Sequence, residues 1–82
     1  MTKRGFNTEL IKLGARIKQI RKFRKMRLLD LQVASGIDKT NLSKYENAKY
    51  PNVEFLTLFM LAEGLQVSVA QLTDYDGPLP NE

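Results

Sequence analysis

Apolar residues recur at spacings of three and four near the start of the chain, which is the period of one helix face. The residues on this stripe are Leu10, Leu13, Ile17 and Ile20. Asn7 or Thr8 offers a side-chain oxygen suited to the N-cap of such a helix. The pattern therefore predicts a first helix over about residues 9–25, preceded by a flexible basic lead-in over residues 1–8.

Two short helices are predicted on either side of Gly36. The first spans residues 28–35 and ends at Gly36, because glycine adopts the left-handed conformation of a helix C-terminus at little cost. The second follows Asp38, which can cap it, and runs to about Glu46. Its only apolar anchors are Leu42 and Tyr45. The rest of this helix is polar, which leaves most of its surface free for a partner.

The second half of the chain predicts two more helices. Residues 53–63 are almost wholly apolar, which is typical of a helix buried on more than one side. Ser68 and Gln71 form a capping box for a short fifth helix. We therefore expect one compact all-α domain of five helices over residues 9–73, followed by a short acidic tail over residues 74–82.

Charge is distributed unevenly along the 82 residues, although the net charge is only +4. All thirteen Lys and Arg residues lie between Lys3 and Lys49, where there are only four acidic residues. From Tyr50 onward there are five acidic residues and no base. The densest part is a basic cluster with no acid between its members: Arg16, Lys18, Arg21, Lys22, Arg24, Lys25 and Arg27. Such a cluster favours a polyanion such as nucleic acid. A solvated helix face, a membrane surface or a partner groove are the alternatives.

Several classes of chemistry require residues that this chain lacks. It contains no Cys and no His, which excludes disulfides, thiolate nucleophiles, zinc fingers and imidazole acid–base catalysis. A glycine-rich phosphate loop and clustered carboxylates are absent as well. We therefore expect no enzymatic activity, no cofactor, no metal and no small-molecule ligand. No apolar run is long enough for a membrane span, so we expect a cytoplasmic protein.

Two short helices that meet at a glycine, the second with a polar face, form a helix-turn-helix pattern. The residues around the turn are Leu31, Ser35, Gly36, Ile37, Leu42, Ser43, Glu46 and Lys49. The preceding and following helices add Leu13, Gly14, Ile17, Arg21, Lys22, Leu61, Ala62, Leu65, Val67, Ser68 and Leu72. In this order they resemble the lambda-repressor-like, Xre-type helix-turn-helix DNA-binding domains. The resemblance covers residues 13–73.

The resemblance implies roles for particular residues. The positions that contact bases in the family, or lie beside them, are Lys39, Thr40, Ser43 and Lys44. Those that match or neighbour contacts to the DNA backbone are Asn41, Asn47, Lys49 and Tyr50. From the basic cluster of the first helix, we expect phosphate contacts by Arg16, Arg21 and Arg24. Lysine can donate to guanine O6 and N7 or to phosphate, and both possibilities stay open for the two lysines of the predicted recognition helix.

One acidic residue and three departures from the family pattern bear on the structure. Glu46 would repel phosphate unless it were paired, and we expect an internal ion pair with Arg21. Leu28 replaces a glutamine that contacts the DNA backbone in many members. Gln32 replaces an alanine, so its side chain should splay outward or widen the helix crossing. Ala48 replaces the frequent glycine after the recognition helix.

The expected function is sequence-specific binding of double-stranded DNA to regulate transcription. One such helix contacts few base pairs, so these domains usually bind near-palindromic operators as homodimers. The candidate interface residues are Val69, Leu72 and Tyr75. At this length the chain is similar to small phage-type repressors or to the controller proteins of restriction–modification systems. The alternative is an antitoxin-like interaction module that uses its apolar C-terminal face, with DNA binding secondary.

Overall fold

Five α-helices and no strand make up the part of the chain that the computed structural model describes, residues 4–80, with side chains described from Asn7 onward. The helices are α1 (Arg4–Phe23), α2 (Leu28–Ser35), α3 (Lys39–Glu46), α4 (Phe55–Leu65) and α5 (Val69–Thr73). The predicted all-α class is confirmed. Residues 1–3 of the predicted lead-in and 81–82 of the predicted tail lie outside the described residues.

The core lies between α1, which packs against α3, α4 and α5, and α2, which packs against α3 and α4. Its fully buried aliphatic side chains are Ile17, Ile20, Leu31, Leu42, Leu61, Leu65 and Leu72. Gly14 allows α1 to approach α3 closely, because a Cβ atom there would lie 2.5 Å from the carbonyl oxygen of Glu46. Gly64 does the same for α4 against α2, where a Cβ would lie 2.7 Å from Cβ of Ser35. These two contacts fix α2 and α3 relative to the rest of the domain.

The first helix is longer at its start than the sequence predicts. It begins at Arg4 rather than near Glu9, so Asn7 and Thr8 lie inside it and are not its caps. The predicted lead-in is therefore wrong for the part from Arg4 onward, since no proline interrupts the helix there. At the other end α1 stops at Phe23, and Lys25 takes the left-handed conformation with φ 59°.

Helix α4 differs from the prediction in position and in burial. It begins two residues later and ends at Leu65, and Gln66 caps it in the left-handed conformation with φ 61°. Phe55, Leu56 and Phe59 are 75%, 68% and 47% exposed, so the expectation of a helix buried on more than one side is wrong for its first turns. Composition predicts the helix but does not distinguish a buried apolar face from an exposed one. The predicted capping box of α5 is confirmed.

The segment after α5 packs back onto α1 up to Pro80, which is buried. Arg16, only 2% exposed, donates to the carbonyl oxygens of Gln71, Gly77 and Pro78. One side chain of α1 therefore holds both the end of α5 and the chain that follows it.

Candidate nucleic-acid interface

The turn between α2 and α3 has the geometry that its sequence predicts. Gly36 closes α2 with φ 79°, and its N–H donates to the carbonyl of Gln32 over 2.9 Å. Asp38 caps α3 by accepting a hydrogen bond from the N–H of Thr40 over 2.9 Å. Both predicted structural roles are confirmed, and together they set the direction in which α3 leaves the turn.

Gln32 has a role that the sequence analysis missed. Its Oε1 accepts a hydrogen bond from the backbone N–H of Lys39 over 2.8 Å, so it satisfies a second free donor at the start of α3. The side chain reaches across the turn as a cap, in place of the predicted splaying or widening. The sequence does contain a signal for this role, because Gln32 places a carboxamide on the second predicted helix, close to the start of the third.

The outer face of α3 brings together the four residues predicted to contact bases. Lys39, Thr40 and Lys44 are exposed and Ser43 is half-buried. With Leu28 they line one shallow surface depression. Leu28 is half-buried and packs against the core. An apolar side chain therefore lies where many members of the family have a glutamine.

The residues around the end of α3 are held by local bonds. Tyr50 donates its hydroxyl proton to Oδ1 of Asn41, and Asn47 donates from Nδ2 to the carbonyl of Ser43 over 2.8 Å. Ala48 adopts φ 55°, and the N–H of Lys49 donates to the carbonyl of Lys44 over 2.8 Å. The left-handed residue stands where the family often has glycine, and the turn folds the following chain back over α3.

The predicted ion pair of Glu46 with Arg21 is confirmed. Nε of Arg21 lies 2.6 Å from Oε2 of Glu46, and Nη2 donates to Oε1 over 3.1 Å. The third nitrogen of the guanidinium donates to the carbonyl of Met26 over 2.9 Å. The pair is almost buried, so Glu46 presents little charge to an approaching polyanion.

The expectation that Arg16 and Arg21 contact phosphate requires correction, because their guanidinium groups bond inside the protein. Arg16 and Arg21 are buried, and every nitrogen of both donates to an internal acceptor. Arg24 is half-buried and donates to the carbonyls of Leu65 and Gln66 at the end of α4. The exposed bases of the same cluster are Lys18, Lys22, Lys25 and Arg27.

Arg27 and Asp30 form an exposed pair at the start of α2. Oδ2 of Asp30 accepts a hydrogen bond from the N–H of Arg27 over 2.7 Å, and Nη2 of Arg27 lies 3.0 Å from Oδ1. The hydrogen bond from the Arg27 side chain lowers the pKa of Asp30 below its usual value. Arg27 therefore already has a carboxylate partner in the free protein.

The three candidate interface residues have different surroundings. Leu72 is fully buried in the core, so its assignment to a dimer surface is wrong. Val69 and Tyr75 are half-buried and pack against that core. Burial, and then a hydrogen bond with Glu9, raise the pKa of Tyr75 above its ordinary value. The larger exposed apolar surface is the Phe55, Leu56 and Phe59 face of α4.

Residues 4–80 contain no membrane-crossing helix and no cluster of metal ligands. None of the helices there is long and apolar enough to cross a membrane. Over the same residues, no three His, Cys, Asp or Glu side chains come together as metal ligands.

Comparisons with known proteins support the helix-turn-helix assignment. The family model of the Cro/C1-type HTH DNA-binding domain matches residues 16–78. Among solved structures, the chain is similar to the restriction-modification controller protein C.AhdI from Aeromonas hydrophila, with a TM-score of 0.75 and 25% sequence identity. The match covers 79% of this chain and 97% of that one. A search of curated proteins found no match. The resemblance inferred from the sequence is confirmed.

Proposed function

This chain belongs to the Cro/C1-type helix-turn-helix DNA-binding family, and on that premise we propose that it regulates transcription by sequence-specific binding of double-stranded DNA. The protein acts as a homodimer on a near-palindromic operator, with one α3 helix of each copy in the major groove.

The observation that carries this proposal is the division of α3 into two faces. Leu42 is fully buried and Glu46 is paired with Arg21, which fixes the inner side. Lys39, Thr40 and Lys44 are exposed on the other side, next to Ser43. Lysine can donate to guanine O6 and N7 or to phosphate, and the threonine methyl group can contact thymine. A rigid helix with this exposed face suits contact with base edges.

Contacts to the DNA backbone come from residues at the ends of this surface. Lys49 is exposed beyond the C-terminal end of α3, beside Asn47. The exposed lysines of α1 replace the internally bonded Arg16 and Arg21 as the source of further positive charge. Each phosphate neutralised releases counterions, so the affinity should fall steeply with salt.

Dimerisation uses the exposed apolar face of α4. Phe55 and Phe59 form an edge-to-face pair with ring centroids 4.8 Å apart, and Leu56 lies beside them. A second copy would cover this face and place a second α3 helix on the same DNA. Sedimentation should show a dimer at micromolar concentration, and Phe55→Glu should convert it to a monomer. Val33→Glu is the control, since Val33 is an 80% exposed apolar residue on α2. A wild-type protein that stays monomeric at high concentration contradicts the dimer.

The same α4 face is the observation that favours the second candidate, an antitoxin-like module that binds another protein through an apolar surface. That function does not require a preferred DNA sequence. A wild-type protein that is monomeric and selects no DNA would favour it over regulation of transcription.

The test of the proposed function is selection from a pool of random DNA duplexes, followed by sequencing, at two salt concentrations. The expected result is an inverted repeat with half-sites about one helical turn apart. The logarithm of the affinity should fall with the logarithm of the salt concentration by roughly 0.9 per phosphate contact. Strong binding without an enriched sequence would contradict sequence-specific regulation.

A further inference from the structure

Tyr50 lies beyond the end of α3 but contacts two residues on the outer side of that helix. Its hydroxyl donates a hydrogen bond to Oδ1 of Asn41, nine residues earlier. Nζ of Lys44 lies 5.7 Å from the centroid of the Tyr50 ring, within the range of a cation–π contact. Asn41 and Lys44 are three residues apart on α3 and therefore share a face.

The Tyr50 ring rests on a part of α3 that is itself fixed. It packs against the ring of Tyr45, with centroids 4.9 Å apart and planes inclined by 54°. Tyr45 is half-buried against the core, and its carbonyl oxygen lies where Gly14 lets α1 approach. The turn through Ala48 brings Tyr50 back to this position. Tyr45 therefore supports one side of the Tyr50 ring, and the Tyr50 hydroxyl reaches Asn41 on the outer face of α3.

We infer that Tyr50 is a positioning residue of the DNA-contacting surface: it orients the Asn41 amide as a hydrogen-bond donor toward DNA and holds the Lys44 ammonium group beside it. This inference rests on the proposed function, because it assigns a task to Tyr50 within that surface. It replaces the expected direct contact of Tyr50 with phosphate.

The direction of the hydrogen bond argues against that direct contact. A tyrosine hydroxyl has one proton to donate, and Tyr50 donates it to Asn41. Its outward lone pairs can only accept, and a phosphate oxygen also only accepts. The hydroxyl therefore has no proton left for a phosphate while it holds Asn41.

The same bond orients the Asn41 amide. With its oxygen turned toward the Tyr50 hydroxyl, the amide keeps Nδ2, which has no hydrogen-bond partner among residues 7–80. This nitrogen is a donor and is suited to acceptors such as a phosphate oxygen, or guanine N7 and O6.

Tyr50→Phe tests the inference, because it removes the hydroxyl and keeps the ring over Tyr45 and beside Lys44. Its affinity for the operator that the wild type selects should fall by between about twofold and about tenfold, the value of one hydrogen bond. Tyr45→Phe is the matched control. It removes a hydroxyl from the same ring pair, and that hydroxyl has no hydrogen-bond partner among residues 7–80. Its affinity should equal that of the wild type. Tyr50→Phe loses one exposed hydrogen bond of the free protein, so the affinities are compared well below the Tm of each variant.

A double-mutant cycle with Asn41→Ala distinguishes positioning from direct contact. If Tyr50 acts through Asn41, Tyr50→Phe should have no further effect in the Asn41→Ala background. In the free protein, the NMR signals of the Asn41 side-chain amide should shift in Tyr50→Phe and stay in place in Tyr45→Phe. These signals report the bond without DNA.

The possible outcomes separate this inference from the proposed function. If Tyr50→Phe binds the selected operator as tightly as the wild type, the inference is wrong and the function stands. If the loss persists in the Asn41→Ala background, Tyr50 contacts DNA directly and the inference is wrong. If the wild type selects no operator, both fail together.

Discussion

Arg21 and Glu46 form a two-point ion pair that joins α1 to the last residue of α3, with a shortest distance of 2.6 Å. Their side chains are 10% and 5% exposed. A carboxylate at this place would oppose the helix dipole and repel DNA. The pair neutralises it and fixes the orientation of α3 against the core. Glu46, an acidic residue on the helix proposed to contact DNA, therefore has a structural role.

Glu46→Gln should lower the free energy of unfolding by about 2 to 4 kcal/mol, because it leaves the Arg21 charge buried without its partner. The DNA affinity of the folded protein should change little well below the Tm. Urea unfolding and a binding titration measure the two effects. Asp30→Asn is the control, since it breaks the exposed pair with Arg27 and should cost much less. A Glu46→Gln protein with weaker DNA binding and an unchanged Tm would refute the structural role.

Replacing Arg16 should affect stability without affecting the salt dependence of DNA binding. Arg16→Met leaves the carbonyls that hold the chain after α5 without their donor, and we expect a loss of about 3 kcal/mol. Binding titrations over a range of salt should give the wild-type slope, because the buried guanidinium releases no counterions. A slope smaller in magnitude by about 0.9 would mean that Arg16 does contact phosphate.

Two residues in the left-handed conformation should respond oppositely to exchange between glycine and alanine. Gly36→Ala at φ 79° should cost about 1 kcal/mol, since an L side chain disfavours this region. Ala48→Gly at φ 55° should raise the stability by about 0.5 to 1 kcal/mol for the same reason. Thermal unfolding of both variants tests the pair. A loss of stability in Ala48→Gly would show that its methyl group makes a contact worth more than the strain.

Because of Tyr75, the free energy of unfolding should decrease as the pH rises into the alkaline range. Its pKa in the folded protein lies above the ordinary value of 10.0, because burial and the hydrogen bond with Glu9 favour the neutral form. The unfolded chain therefore loses this proton first, and stability falls as the pH rises above 10. The difference in unfolding free energy between wild type and Tyr75→Phe should be constant below that pH and shift against the wild type above it. A difference that stays constant through the alkaline range contradicts the assignment.

The features that the sequence predicted are those with local signals. Gly36, Asp38 and the Ser68–Gln71 box act on the backbone within a few residues, so their chemistry identifies them. The pair of Glu46 with Arg21 is long-range. It could still be predicted, because the family resemblance places the end of the third helix beside the basic first helix, and the two residues carry opposite charges.

The features that were missed depend on partners that a sequence does not identify. Arg16 bonds to backbone carbonyls 55 to 62 residues away, and every residue carries a carbonyl, so its charge was interpreted as a surface feature. The exposed face of α4 was not chosen over Val69, Leu72 and Tyr75 as the interface, because the sequence of Phe55 and Phe59 is the same whether a core or a second chain covers them. In both cases only the tertiary structure shows which groups the side chain contacts.

A ratio of two affinities tests whether the outer face of α3 recognises a DNA sequence. The wild type is titrated against its selected operator and against a scrambled duplex of equal length, at physiological salt. We expect a ratio of about a thousandfold or more. Thr40→Ala should lower the ratio mainly through weaker operator binding. A ratio near one, unchanged in Thr40→Ala, would contradict recognition by this face.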